Sequence, residues 1–234
     1  MKRLHELDAL RGVMIWCVVA IHLIFDLEYF LGIDVIQNPV LQYCVDRFGF
    51  LFVILSGVSV TFGSHNLRRG AQVFGCGMLI TAVTAGMYFL GMADRFLIIY
   101  FGVLHLLGVC MLLWSVFKHL PTWALAVLAA VFVALGVYLR TVRADFFWLL
   151  PFGVTFPGFT SGDYFPLFPH LGWFLLGAFL GRVVYRQKRP LLPERLWENP
   201  VGRFFCLCGR RSIWIYLVHQ PVLYGIVMLL QNAK

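Results

Sequence analysis

Residues 7–26 read LDALRGVMIWCVVAIHLIFD. From Gly12 to Phe25 this stretch carries no carboxylate, lysine or arginine, and only His22 interrupts its apolar character among the usual ionisable groups. An apolar run of about 20 residues is the length that crosses a bilayer as a helix, the form in which a single segment satisfies all its backbone hydrogen bonds internally. Lys2 and Arg3 precede the run and raise the alternative of a cleaved leader. The run is long, contains His22 and Asp26, and lacks a small-residue cleavage site, so it reads as an uncleaved first span.

The rest of the chain repeats the pattern. Of its 234 residues 61% are apolar and only 13% charged, against about 25% charged in soluble domains. Candidate spans fall at residues 10–31, 48–63, 72–91, 97–117, 122–138, 165–185 and 212–230. The expected fold is all-α: one polytopic transmembrane helical bundle of about seven spans, filling residues 1–234 as a single domain with no soluble appendage.

The net charge of +8 sits in short loops and not on a folded soluble surface, which argues against nucleic acid and for topology. With the N-terminus inside, only Arg47, Arg95, Arg140, Arg143 and Lys234 fall outside, leaving fourteen of the 19 Lys and Arg on the cytoplasmic side. The positive-inside rule therefore predicts N-in and C-out. The six cysteines show neither CxxC nor zinc spacing and read as packing residues; no metal is expected.

Two regions break the run of tight loops. Residues 140–164, RTVRADFFWLLPFGVTFPGFTSGDY, are aromatic and rich in Gly and Pro, and read as an outer lid at the interface. Residues 186–211, RQKRPLLPERLWENPVGRFFCLCGRR, are basic, broken by three prolines and expected in the cytoplasm.

Four histidines lie within candidate spans: His22, His105, His170 and His219. Ionisable groups in hydrocarbon are costly and usually face a bundle interior or wet cavity, which points to a polar chamber where protons move. His22 and Asp26, four apart, share a helix face, so Asp26 is expected to orient the His22 ring as a general base. Gly102 and Gly108 open space beside His105. Asp163 and His170 bracket two prolines in a segment expected to be irregular and polar-lined. In the last span Tyr216 and His219 are i, i+3 neighbours, Gln220 follows, and Pro221 deprives the Leu217 carbonyl of its helical donor. Ser212 is a candidate N-cap, and Arg210 and Arg211 beside it, with Arg11, are candidates for cradling a phosphorylated cofactor; the alternative is arginines that merely obey the topology rule. Asp46, at the outer mouth of the second span, is either an ordinary interfacial ion or a ligand for a substrate amine. Ser56, Gly57 and Ser59 form a small-residue patch suited to close helix packing.

LDALRG, IHLIFD, LFVILSGVSV, FGVLHLLG, DYFPLFPHLG and GRRSIWIYLVHQP occur in that order from Leu7 to Pro221. Together they resemble the bacterial members of the heparan-alpha-glucosaminide N-acetyltransferase catalytic-domain family; the opening Leu-Arg-Gly and following His are also similar to membrane acyltransferase-3 proteins. The resemblance implies transfer of acetyl from cytoplasmic acetyl-CoA to an amine or hydroxyl of a sugar across the membrane, and a homodimer. By position it matches Asp46 to the acidic residue opening the second span, and Ser212, Tyr216 and His219 to the closing pattern. Lysosomal relatives carry a catalytic His just before the matching aspartate, whereas residues 34–45 here contain none. They carry amides where this chain has His22 and His105. The chain is also shorter than those relatives, making an envelope glycan a better acceptor than heparan sulfate.

The expected mechanism is direct transfer: His22 oriented by Asp26 as base, His105 or His219 donating to the oxyanion, Asp46, Asp163, His170, Tyr216 and Gln220 around the acceptor, and Arg11, Arg210, Arg211 and Ser212 around the donor. The competing class is a proton-coupled transporter or flippase of a polar solute, which intramembrane His and Asp suit equally well.

Overall fold

The structure is a computed structural model that describes residues 4–187 and 189–232, without the side chains of Val40, Leu41, Cys44, Asp46, Arg47 and Asn232. Its helices are α1 (His5–Leu31), α2 (Pro39–Val60), α3 (Asn66–Phe89), α4 (Val103–Phe117), α5 (Thr122–Leu139), α6 (Leu167–Val184), α7 (Pro200–Arg210) and α8 (Ser212–Asn232). Among the described residues there is no strand, only two isolated bridges, Phe101 with Tyr164 and Arg143 with Thr155. Five helices, α1, α3, α5, α6 and α8, are long and apolar enough to cross a membrane, and shorter apolar helices cover Phe48–Val60 and Val103–Phe117.

Local chemistry sets the ends. Glu6 and Asp8 occupy the first turn of α1, where the helix dipole favours negative charge. At its other end Gly32 takes φ 64°, and the Gly32 and Ile33 N–H groups close back on the carbonyls of Glu28 and Leu27. The fourth span expected at 97–117 starts late. Its helix begins at Val103, because Arg95–Leu97 forms a 3-10 turn and residues 98–102 run alongside residues 161–165. The apolar LIIYF sequence does not distinguish the two states. A second departure is α7. Its prolines do not break it: Asn199 accepts a hydrogen bond from Gly202 N–H (2.8 Å) and Pro200 starts the helix, where a missing N–H costs nothing.

The chain divides into two compact units, Met1–Phe52 with Gln187–Lys234, and Val53–Arg186. In the first, α7 runs antiparallel along the N-terminal half of α1. Gly12 lies against the Phe205 carbonyl and Gly209 against the Asp8 carbonyl, so closely that a Cβ at either would overlap backbone. Arg11, from the LDALRG motif, pairs with Asp8 at 3.2 Å and donates to the Gly209 carbonyl at 3.4 Å. The Glu6 carboxylate accepts from the N–H groups of Leu191 (2.9 and 3.1 Å) and Leu192 (2.9 Å), fastening the strap that precedes α7, residues 189–199, to the start of α1. α8 then runs parallel to α1: His219 meets His22, Gln220 meets Asp26, and Tyr224 meets Phe30.

In the second unit α3 and α4 form an antiparallel pair, with Gly70 against Gly108 and Leu112, and Gly77 against His105. α5 and α6 form another, with Gly136 against Pro169 and Gly172 against Ala129. The end of α2 lies parallel to α6, where Gly57 rests against the Phe174 carbonyl and Gly177 against that of Ile54, the close contact expected of the small-residue patch. Leu106, Leu125, Leu171, Phe174 and Leu175 are fully buried between these helices. Arg182 donates to the Lys118 and Leu120 carbonyls, each at 2.7 Å, supplying a cation at the C-terminal end of α4. Residues 140–164 cover the opposite end, docked on residues 96–103.

Candidate functional site

The α1–α8 seam of the first unit gathers His22, Asp26, Tyr216, His219 and Gln220. His22 Nδ1 lies 2.9 Å from the Val18 carbonyl and His219 Nδ1 2.6 Å from that of Tyr216. A carbonyl can only accept, so each Nδ1 carries a proton, and in the neutral form of either ring Nε2 is the basic nitrogen. The two rings stand 4.7 Å apart, edge to face at 89°. This corrects the expectation that Asp26 orients His22, since the backbone of α1 does so. Asp26, with 0% of its surface exposed, is instead held by Gln220 Nε2, which donates to its two oxygens at 2.9 and 3.1 Å.

Two buried acceptors at this seam, His219 Nε2 and Gln220 Oε1, have no hydrogen-bond partner among the described residues. Each such atom costs about 1–3 kcal/mol until a donor reaches it. Alongside the Asp26 carboxylate, the seam is rich in acceptors and short of donors.

His105 and Asp163 belong to the other unit and meet at the start of α4. Gly102 N–H donates to His105 Nδ1 (3.2 Å) and Val103 N–H to Asp163 Oδ2 (3.3 Å). With Nδ1 accepting, His105 Nε2–H faces Thr81 Oγ1 at 3.2 Å, and that hydroxyl donates to the Ile99 carbonyl at 2.6 Å. Both nitrogens of His105 are therefore engaged in holding the helix start. His170, 2% exposed in α6, directs Nδ1 to the Pro166 carbonyl at 2.7 Å. Tyr164, beyond the spans, donates its hydroxyl to the Leu150 carbonyl at 2.6 Å. Burial pushes that phenol's pKa up, with Arg140 pulling the other way, so the donating form persists.

At the basic end of the first unit, Arg11 is engaged with Asp8 and α7, while Arg210 and Arg211 are exposed. Ser212 is the first helical residue of α8 and not its cap: the Arg211 carbonyl accepts from Trp214 and Ile215 N–H. Asp46 lies in α2 with its side chain outside the described residues. Among the described residues no three His, Cys, Asp or Glu are grouped to hold a metal ion. Thr81 and Glu6 escaped the sequence reading: a threonine in an apolar run and a glutamate before one carry no signal of their distant partners.

The six motifs shared along the chain now have places, LDALRG at the α1–α7 crossing and IHLIFD with YLVHQP across the seam. The family described as heparan-alpha-glucosaminide N-acetyltransferase, catalytic, matches residues 3–221. The chain belongs to this family. The match ends at Pro221, just past the seam residues His219 and Gln220. As a member of the heparan-alpha-glucosaminide N-acetyltransferase catalytic family with five membrane-length apolar helices, the chain is a multi-pass membrane protein of acetyltransferase type. No curated protein and no solved structure matches it.

Proposed function

We propose that the protein transfers an acetyl group from cytoplasmic acetyl-CoA to a primary amine of an envelope glycan on the outer side of the bacterial cytoplasmic membrane. The observation that supports an amine is the composition of the seam: one carboxylate and two acceptors lacking donors. An ammonium group brings one positive charge and three N–H donors, the complement of Asp26, Gln220 Oε1 and His219 Nε2. A hydroxyl brings one donor and no charge.

In this reading His219 Nε2 takes one proton from the bound ammonium, freeing the nitrogen lone pair. The amine attacks the thioester carbonyl, the C–S bond breaks, and the leaving thiolate is protonated to CoA. His22 removes the second nitrogen-bound proton as the amide forms, and one proton is released overall. General-base help of this kind contributes about 10²–10⁴-fold. Arg11 is occupied by the α1–α7 crossing, so exposed Arg211, beside Ser212, is the better anchor for the donor's phosphates. The parallel run of α1 and α8 supports an odd number of spans from α1 to α8, the parity that N-in, C-out requires, and the Lys and Arg bias supplies the direction.

The test is label transfer from [14C]acetyl-CoA to a panel of amino sugars and their hydroxyl analogues in proteoliposomes. Amines should be labelled. His219→Ala and Gln220→Met should lower turnover at least about 100-fold, and Arg211→Ala should weaken CoA binding while leaving the thermal midpoint unchanged. Label on hydroxyl analogues alone would overturn the amine reading. Amine uptake without label transfer would assign the seam to transport.

A further inference from the structure

The outward side of α7 carries a feature that acetyl transfer does not use. Gly202, Cys206, Cys208 and Gly209 are buried, and Gly202 packs on the backbone of Leu196 and Trp197. The opposite side holds two adjoining stripes. One is apolar, with Val201 65%, Phe204 47% and Leu207 42% exposed. The other is basic, with Arg203 and Arg210 both exposed. Among the described residues neither arginine has an ion-pair or hydrogen-bond partner.

Phe204 and Leu207 of the first stripe and Arg203 and Arg210 of the second line a groove of about 410 Å³, together with Trp197 and Glu198. The Trp197 indole N–H is buried and has no hydrogen-bond partner among the described residues. A complementary ligand therefore offers negative charge to two guanidinium groups, an acceptor to an indole N–H, and an apolar body to Phe204 and Leu207. Position selects among such ligands. Only Arg211 separates α7 from α8, a helix long and apolar enough to cross a membrane, so α7 stands at the level of the lipid headgroups.

We propose that this groove is a binding site for an anionic phospholipid, whose phosphate engages Arg203 and Arg210, whose glycerol ester or phosphate oxygen accepts from Trp197, and whose acyl chain lies along Phe204 and Leu207. Glu198 faces the same groove and favours a lipid of single negative charge over a more highly charged one. The site is independent of the acceptor chemistry at the α1–α8 seam. Its arginines give α7 affinity for the anionic leaflet that basic segments near a membrane draw on.

The experiment uses the whole protein. Native mass spectrometry after detergent exchange counts retained phosphatidylglycerol against phosphatidylcholine, and quenching by brominated forms of both is compared in the wild type and Trp197→Phe. Wild type should retain one phosphatidylglycerol in preference to phosphatidylcholine. Brominated phosphatidylglycerol should quench a component absent from Trp197→Phe. Arg203→Gln, an exposed position, should cut retention about fivefold at an unchanged thermal midpoint, and raised salt should weaken retention in the wild type. Equal retention of both lipids, retention indifferent to Arg203→Gln and to salt, or displacement of the lipid by CoA would each overturn the proposal. The last would give the groove to the donor.

Discussion

Three of the intramembrane imidazoles share one arrangement: His22, His170 and His219 each direct Nδ1 to a carbonyl three or four residues back in the chain, so that Nε2 faces away from the helix backbone. His105 reverses it, accepting at Nδ1 from Gly102 N–H. The expected consequence is visible to 15N NMR of histidine-labelled protein at neutral pH: Nδ1–H tautomers for neutral His22 and His219, and an Nε2–H tautomer for His105. Replacing His105 with Phe should cost about 1–3 kcal/mol by stranding Gly102 N–H, read as a lower thermal midpoint. An Nδ1–H form of His105 would remove the basis for that expectation. The identities of these residues were legible in the sequence, because an ionisable side chain in an apolar run is conspicuous whatever it contacts. Their partners were not. The i, i+4 spacing of His22 and Asp26 places two Cβ atoms on one face but does not set side-chain torsions, and Val18 and Gln220 prevail as partners.

At the scale of elements, glycine decides which helices touch. Gly12 and Gly209 let α1 and α7 cross at backbone contact, whereas Gly75 and Gly86 in α3 have nothing among the described residues within 4 Å of where a Cβ would stand. Gly12→Ala is therefore expected to lower stability by about 1–3 kcal/mol or to part the helices, while Gly75→Ala should be neutral or stabilise by up to about 1 kcal/mol. Thermal melts of the two variants in the same detergent check this contrast, and equal midpoints would contradict it. The long helices were read from the sequence to within a few residues at most ends, since runs of apolar residues about 20 long leave little choice. α7 was not. Its three neighbouring prolines and its arginines resemble a loop until Asn199 is recognised as a cap and Pro200 as a first helical residue. The start of α2 at Pro39 was likewise missed, because QNPVLQYCVDR is too polar to continue an apolar span.

For the whole molecule, the antiparallel α3–α4 and α5–α6 pairs set the ends of the second unit. Residues 61–65 and 118–121 share one end, and residues 90–102 and 140–166 the other. In a cysteine-free background, a membrane-impermeant thiol reagent should reach Ser64→Cys and His119→Cys only from the cytoplasm, and Met92→Cys and Trp148→Cys only from outside. Labelling of the first pair from outside would invert the topology. The charge bias that predicts this orientation was plain in the sequence, whereas the grouping of the first 52 residues with the last 48 was not, since no local pattern announces a partner so distant.

The carboxylate of Glu6 grips the N–H groups of Leu191 and Leu192, and that grip joins residues 185 apart in the order of synthesis. At roughly 5–20 residues per second, the strap follows the first helix out of the ribosome by on the order of ten to thirty seconds. Throughout that interval α1 sits in the translocon or the bilayer with Glu6 and Asp26 deprived of the distant partners that will satisfy them. Biogenesis therefore includes a closing step in which α7 and α8 reach back to α1. Chains released before residue 187 would display an orphaned polar α1, the kind of segment that membrane proteases and insertases recognise.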